Sequence, residues 1–140
     1  MEALTLPGTL DALKAIRDYV FAAADASGID KKRAYRLGLA VDEIATNIII
    51  HGYDETGLEG SITVDAQISD ATLTVSLLDR AVPFNPLSQG TPTGLDAPLE
   101  ERKMGGLGVF LAVRNVDKFD YEFVDGCNRN IFVVNRLPVN

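Results

Sequence analysis

Residues 43–53 read Glu-Ile-Ala-Thr-Asn-Ile-Ile-Ile-His-Gly-Tyr, a run that sets a carboxylate and a carboxamide four positions apart among apolar side chains. At helical pitch Glu43 and Asn47 share one face. A helix this apolar is expected to be buried, where a carboxylate or amide without partners costs a few kcal/mol. The pair is therefore expected to meet a ligand, a metal ion or each other; the plainer alternative is a helix that turns both groups to solvent. Leu37, Val41, Ile44 and Ile48 form one apolar stripe along the same helix, Asp30 stands as its N-cap, and Gly52 stands where a helix commonly stops.

Working outward toward the N-terminus, Thr9 is a fair N-cap for another helix, which carries Leu10, Leu13, Ile16, Val20 and Phe21 before Gly28. Glu2 to Leu6 reads as a short edge strand. On the other side the period changes to two: Ile62, Val64, Ala66 and Ile68, a polar Ser69-Asp70 turn, then Leu73, Val75 and Leu77. This pattern predicts an antiparallel hairpin with one buried face. Gly108 to Val113 reads as a short buried helix, and Phe119 to Val124 with Asn130 to Val134 as a closing hairpin turned near Asp125-Gly126. The economical architecture is α+β, a two-layer sandwich whose helices cover one face of a mixed, mainly antiparallel sheet.

At 140 residues the chain fits one domain, 1–140, large enough to bury a core without staples. Its composition, 46% hydrophobic and 24% charged, is that of a soluble globular protein, and no apolar run approaches the length of a membrane span. Met1-Glu2 leads into no signal-peptide pattern, and the single cysteine, Cys127, supports neither a disulfide framework nor a cysteine zinc site. A cytoplasmic location is expected. The net charge of −7 argues against a nucleic-acid surface, which requires a basic footprint.

Two further segments carry chemistry. In Leu77-Leu78-Asp79-Arg80-Ala81-Val82-Pro83-Phe84-Asn85-Pro86 an aspartate ends an apolar strand, where it can accept a hydrogen bond from an exocyclic amine such as that of adenine, or start an ordinary turn. In Met104-Gly105-Gly106-Leu107-Gly108 glycines lead into the apolar helix. Their backbone can approach a ligand closely, and the N–H groups at a helix start suit phosphate; a flexible linker is the alternative. Between them, residues 82–104 hold four of the six prolines and no convincing periodicity, so a lid over a ligand is expected there. Arg102 and Lys103 at its end are placed to add positive charge to phosphates, or to stand as solvated charges beside Glu100 and Glu101.

In order, these segments resemble the motifs of the Bergerat-fold, or GHKL, ATPases, most closely the RsbW-like branch of anti-sigma factor serine-protein kinases. The resemblance covers residues 30 to 137. Glu43 to Tyr53 is similar to the N-box, Asp79 to Pro86 to the G1 box, Gly105 to Gly108 to the G2 box, and Ala97 to Arg102 to the lid of this branch. It implies ATP and Mg²⁺ as cofactors, with Glu43 the general base for the attacking hydroxyl and Asn47 a Mg²⁺ ligand. Asp79 would hold the adenine amine beside Ala81, while Gly105, Gly106, Leu107 and Gly108 would wrap the phosphates near Arg102 and Lys103. Phosphoryl transfer rests mostly on positioning and charge neutralisation, which such a set supplies. The implied activity is a serine/threonine kinase acting on an anti-sigma factor antagonist of the STAS type and sequestering a sigma factor. A homodimer is allowed; direct nucleic-acid or membrane binding is not implied. The alternative is a non-catalytic nucleotide-binding, partner-switching module of the same fold.

The chain departs from the family pattern at three places. Ala81 replaces the glycine of an Asp-x-Gly motif, which costs about 1–2 kcal/mol if the position requires positive φ. Asn85 stands where aspartate is common, and no late-strand threonine occurs near Asn130 to Val133. His51, the only histidine, is expected to serve the last helical turn rather than catalysis.

Overall fold

The computed structural model describes residues 1–89, 109 and 112–136. Five strands, β1 (Leu4–Pro7), β2 (Ser61–Ile68), β3 (Thr72–Asp79), β4 (Lys118–Val124) and β5 (Cys127–Asn135), form one sheet in the order β1-β2-β3-β5-β4. All four pairings are antiparallel. Two helices, α1 (Ala12–Ser27) and α2 (Lys31–Asn47), pack on each other and on this sheet. The architecture is the α+β arrangement expected from the alternation of periods.

The period-two pattern decides which face is buried. Ile62, Val64 and Ala66 of β2, Leu73, Val75 and Leu77 of β3, and Phe132 and Val134 of β5 point inward, where they meet Ile16 and Val20 of α1 and Leu37, Val41 and Ile44 of α2. Val109 and Ala112, in the stretch read as a short helix, are helical and join this core. No helix among the described residues is long and apolar enough to cross a membrane.

Element ends differ from the sequence expectation for identifiable reasons. The first helix starts at Ala12, because Thr9 spends its carbonyl on a turn to the Ala12 N–H (2.9 Å) and Leu10 is left exposed. Asp30 caps α2 as expected, accepting from the Arg33 N–H at 2.8 Å. This helix does not stop at Gly52. It widens into a π-helical segment, Ile48–Asp54, before the chain leaves for β2. The β4–β5 turn places Asp125 (φ 55°) and Gly126 (φ 77°) in the left-handed region, the geometry a two-residue hairpin favours.

Candidate functional site

Glu43 and Asn47 both lie on α2, one helical turn apart, and both are half-buried. They do not bond each other. Among the described residues neither has a side-chain hydrogen bond or ion pair, so both polar groups remain available at the edge of the core. His51 is engaged: its Nδ1 lies 2.8 and 2.9 Å from the two carboxylate oxygens of Glu55, one turn on.

The π-helical segment ties this helix to the end of β3. Tyr53 is buried, its ring flanked by Gly8 and Gly60, where an added Cβ would fall within 3 Å of the ring. Its hydroxyl donates to the Ser61 carbonyl (2.7 Å) and accepts from the Arg80 N–H (2.9 Å). Burial raises the pKa of that hydroxyl, which keeps it a neutral donor. One residue away, Gly52 faces Ala81 so closely that a Cβ on Gly52 would lie 2.8 Å from the Ala81 Cβ. Ala81 does not have positive φ, so the expected strain is absent. Its methyl packs against the helix where the helix carries a glycine.

Asp79 is the last member of the inward row Leu73, Val75, Leu77 and is only 3% exposed. Its Oδ1 accepts from the Ala81 N–H (3.0 Å) and from Asn128 Nδ2 (2.9 Å). Its Oδ2 is buried with no partner among the described residues. Burial pushes the Asp79 carboxyl above the usual carboxylate range, against the opposing pull of the Asn128 and Ala81 donors. A buried acceptor left open in this way costs about 1–3 kcal/mol, which an arriving donor can recover.

Asn128, 3% exposed and paired with Asp79 across β3 and β5, was not singled out by the sequence reading. Besides Asp79 its Nδ2 reaches the Ala81 and Val82 carbonyls (3.1 and 3.2 Å), and its Oδ1 accepts from the Phe84 N–H (3.1 Å) and the Tyr121 hydroxyl. The signal was in the alternation: Asn128 is in phase with Asn130, Phe132 and Val134, all facing inward. Asn130, 2% exposed, presents on that same face a second buried oxygen, Oδ1, without a partner among the described residues. Asn85 accepts from the Leu87 N–H (2.8 Å) and opens the 3₁₀ turn Pro86–Gln89.

Glu43, Asn47, Asp79 and Ala81 thus belong to two adjoining elements, the α2 helix with its π-helical continuation and the end of β3, joined through Tyr53 and the Gly52–Ala81 contact. Arg102, Lys103, Gly105, Gly106, Leu107 and Gly108 lie outside the described residues, as does the greater part of the 82–104 lid. No three His, Cys, Asp or Glu side chains cluster as metal ligands among the described residues.

The histidine kinase-like ATPase domain matches the chain over residues 6–133. The chain is 30% identical over 102 residues to an anti-sigma F factor of Clostridium acetobutylicum, spanning 72% of this chain and 68% of that one. The anti-sigma F factor of Clostridium beijerinckii is 26% identical over 101 residues, 71% and 68% of the two chains. Among solved structures, the RsbU and RsbW domains of a Mycobacterium tuberculosis protein superpose with a TM-score of 0.60 at 14% identity, covering 96% of this chain and about a third (32%) of that one. The Acinetobacter baumannii histidine kinase AdeS superposes at 0.53 with 9% identity, covering 99% and 70%. The chain belongs to the histidine kinase-like ATPase family, in its RsbW-like, anti-sigma factor branch.

Proposed function

We propose that this protein binds Mg·ATP and transfers its γ-phosphoryl group to a serine or threonine hydroxyl of an anti-sigma factor antagonist, and that it sequesters a sigma factor in the cytoplasm. The observation that carries the nucleotide reading is Asp79 Oδ2, a buried acceptor with no partner among the described residues, at the end of the inward strand row. Its chemistry fits the exocyclic amine of adenine, a donor, and repels the carbonyl that guanine presents at the same place. Asn130 Oδ1 adds a second acceptor on the same sheet face.

Asn47 is the residue available to hold magnesium, and when bound the ion would supply charge neutralisation along the phosphate chain. Glu43 has no other partner among the described residues, which suits a carboxylate that must receive a proton. The balance of the step is simple. The acceptor hydroxyl loses its proton to Glu43, its oxygen bonds to the γ-phosphorus, and the bond to the bridging oxygen of ADP breaks. The glycines 105, 106 and 108 and the cations Arg102 and Lys103 are proposed to line the phosphates.

The reading in which the nucleotide is held without transfer drew on Ala81, and the absence of positive φ there removes its strain argument. The test that separates the two is labelled-phosphate transfer from ATP to candidate antagonists encoded nearby. Glu43→Gln keeps shape and volume but cannot take the proton, so transfer should fall by roughly 10²–10⁴-fold while ATP binding stays near wild type. A wild-type protein that binds ATP and antagonist yet transfers nothing would leave only the binding module.

A further inference from the structure

The carboxylate of Asp79 has two oxygens, and only one of them is free. Which one is decided by Asn128 together with the Ala81 N–H. Its Nδ2 and the Ala81 N–H both satisfy Oδ1, at 2.9 and 3.0 Å, and this leaves Oδ2 as the sole open acceptor. The amide of Asn128 has one sensible orientation, because its nitrogen faces three acceptors, Asp79 Oδ1 and the Ala81 and Val82 carbonyls, while its oxygen faces the Phe84 N–H and the Tyr121 hydroxyl. A flipped amide would set its oxygen against those three acceptors and its nitrogen against the Phe84 N–H, and only the Tyr121 hydroxyl could reverse its role. Neither an aspartate, which would set a second charge against Asp79, nor a hydroxyl, which is shorter and has one hydrogen, meets that set.

From this arrangement we infer that Asn128, itself oriented by Tyr121, is the positioning residue that makes the site selective for adenine. It holds Asp79 so that one oxygen faces the ligand, and it clamps the Ala81–Phe84 segment beside it. The same clamp accounts for an alanine at position 81: the turn after Asp79 is shaped by side-chain bonds from β5, so it needs no left-handed glycine. This inference rests on the nucleotide reading above.

The test is the ratio of ADP to GDP affinity, measured calorimetrically with Mg²⁺ in the full chain. The phosphates are common to both ligands, so the ratio isolates the base. Asn128→Ala should lower the ADP preference about tenfold, and Tyr121→Phe severalfold, as expected for loss of bonds that orient a charged acceptor. Asp79→Asn should abolish the preference, and adding Asn128→Ala to it should then change the ratio no further. A purely structural asparagine would lower the melting temperature and leave the ratio of the folded variant at the wild-type value, which would overturn the inference. Should Asn128→Ala not fold, Tyr121→Phe alone and combined with Asp79→Asn carries the same comparison, and a wild-type ratio in Tyr121→Phe would overturn it as well. Failure of the wild-type protein to bind either nucleotide would instead remove the nucleotide reading on which the inference stands.

Discussion

The two ends of the β3–β5 pair are built to opposite specifications. At the end where Thr72 faces Asn135, arginines close the structure: Arg136 donates to the Ser27 and Ser69 carbonyls (2.8 and 2.7 Å), and Arg33 reaches the Asn135 and Arg136 carbonyls from α2. At the other end lie all three of the buried side-chain polar atoms that lack a protein partner among the described residues. They are on Asp79, Arg129 and Asn130, in three consecutive cross-strand pairs. Buried polar atoms are nearly always satisfied in native proteins. Asp79 and Asn130 leave theirs on the inward face and Arg129 on the outward one, so at this end the inward face carries two open acceptors, which the proposed function assigns to a ligand, while the opposite end is tied by arginines.

If that division is right, the two ends should fail differently. Arg136→Ala removes a half-buried bond to the Ser27 carbonyl and an exposed one to the Ser69 carbonyl, and should cost about 1–2 kcal/mol of stability with ADP affinity unchanged at temperatures where the variant is folded. Denaturant unfolding and calorimetry on the same preparation check both halves. An equal loss of ADP affinity would mean the two ends are not separate.

The contact that joins helix to strand offers a sharper version. Gly52→Ala should destabilise by about 2 kcal/mol, because its methyl would meet the Ala81 methyl in a packed interior. Adding Ala81→Gly should recover more than half of that loss in thermal melts, since the pair then exchanges which partner carries the methyl. No recovery would show that Gly52 is needed for some reason other than space.

The smallest effect is on pH. The Asp79 carboxyl has its pKa raised in the folded state, so the folded protein holds this proton more tightly than the unfolded chain does. That contribution to stability is present at low pH and is lost as pH rises through the raised value. Wild type should therefore lose stability relative to Asp79→Asn across this window, while ADP affinity, which needs the carboxylate, rises across it. Parallel stability curves for the two proteins would place Asp79 in a less buried setting.

Much of the fold was legible because burial imposes a period. Ile62 to Ile68 and Leu73 to Leu77 alternate, and Leu37, Val41, Ile44 and Ile48 recur at helical spacing; both patterns name the face that meets the core. Glu43, Asn47 and Asp79 were legible as polar groups interrupting those apolar patterns. What the sequence hid was hydrogen-bond register. Nothing in Ile48 to Gly52 distinguishes a π-helical segment from a continued α-helix, yet the widening sets Gly52 against Ala81 and Tyr53 beneath Arg80. Asn128 was missed because Cys127-Asn128-Arg129 reads as the tail of a turn, although β5 begins at Cys127 and the asparagine sits opposite Asp79.

The central claim is that Asp79 Oδ2 stands open in order to receive adenine, and titration of ADP with Mg²⁺ into wild type and Asp79→Asn tests it most directly. The substituted amide can keep the bonds from Ala81 and Asn128 through its oxygen while turning a donor toward the ligand, so Asp79→Asn should melt at or above the wild-type temperature. The account predicts that it nonetheless loses about 1–3 kcal/mol of ADP binding. Equal ADP affinity in the two folded proteins, or no ADP binding by folded wild type at millimolar concentration, would contradict it.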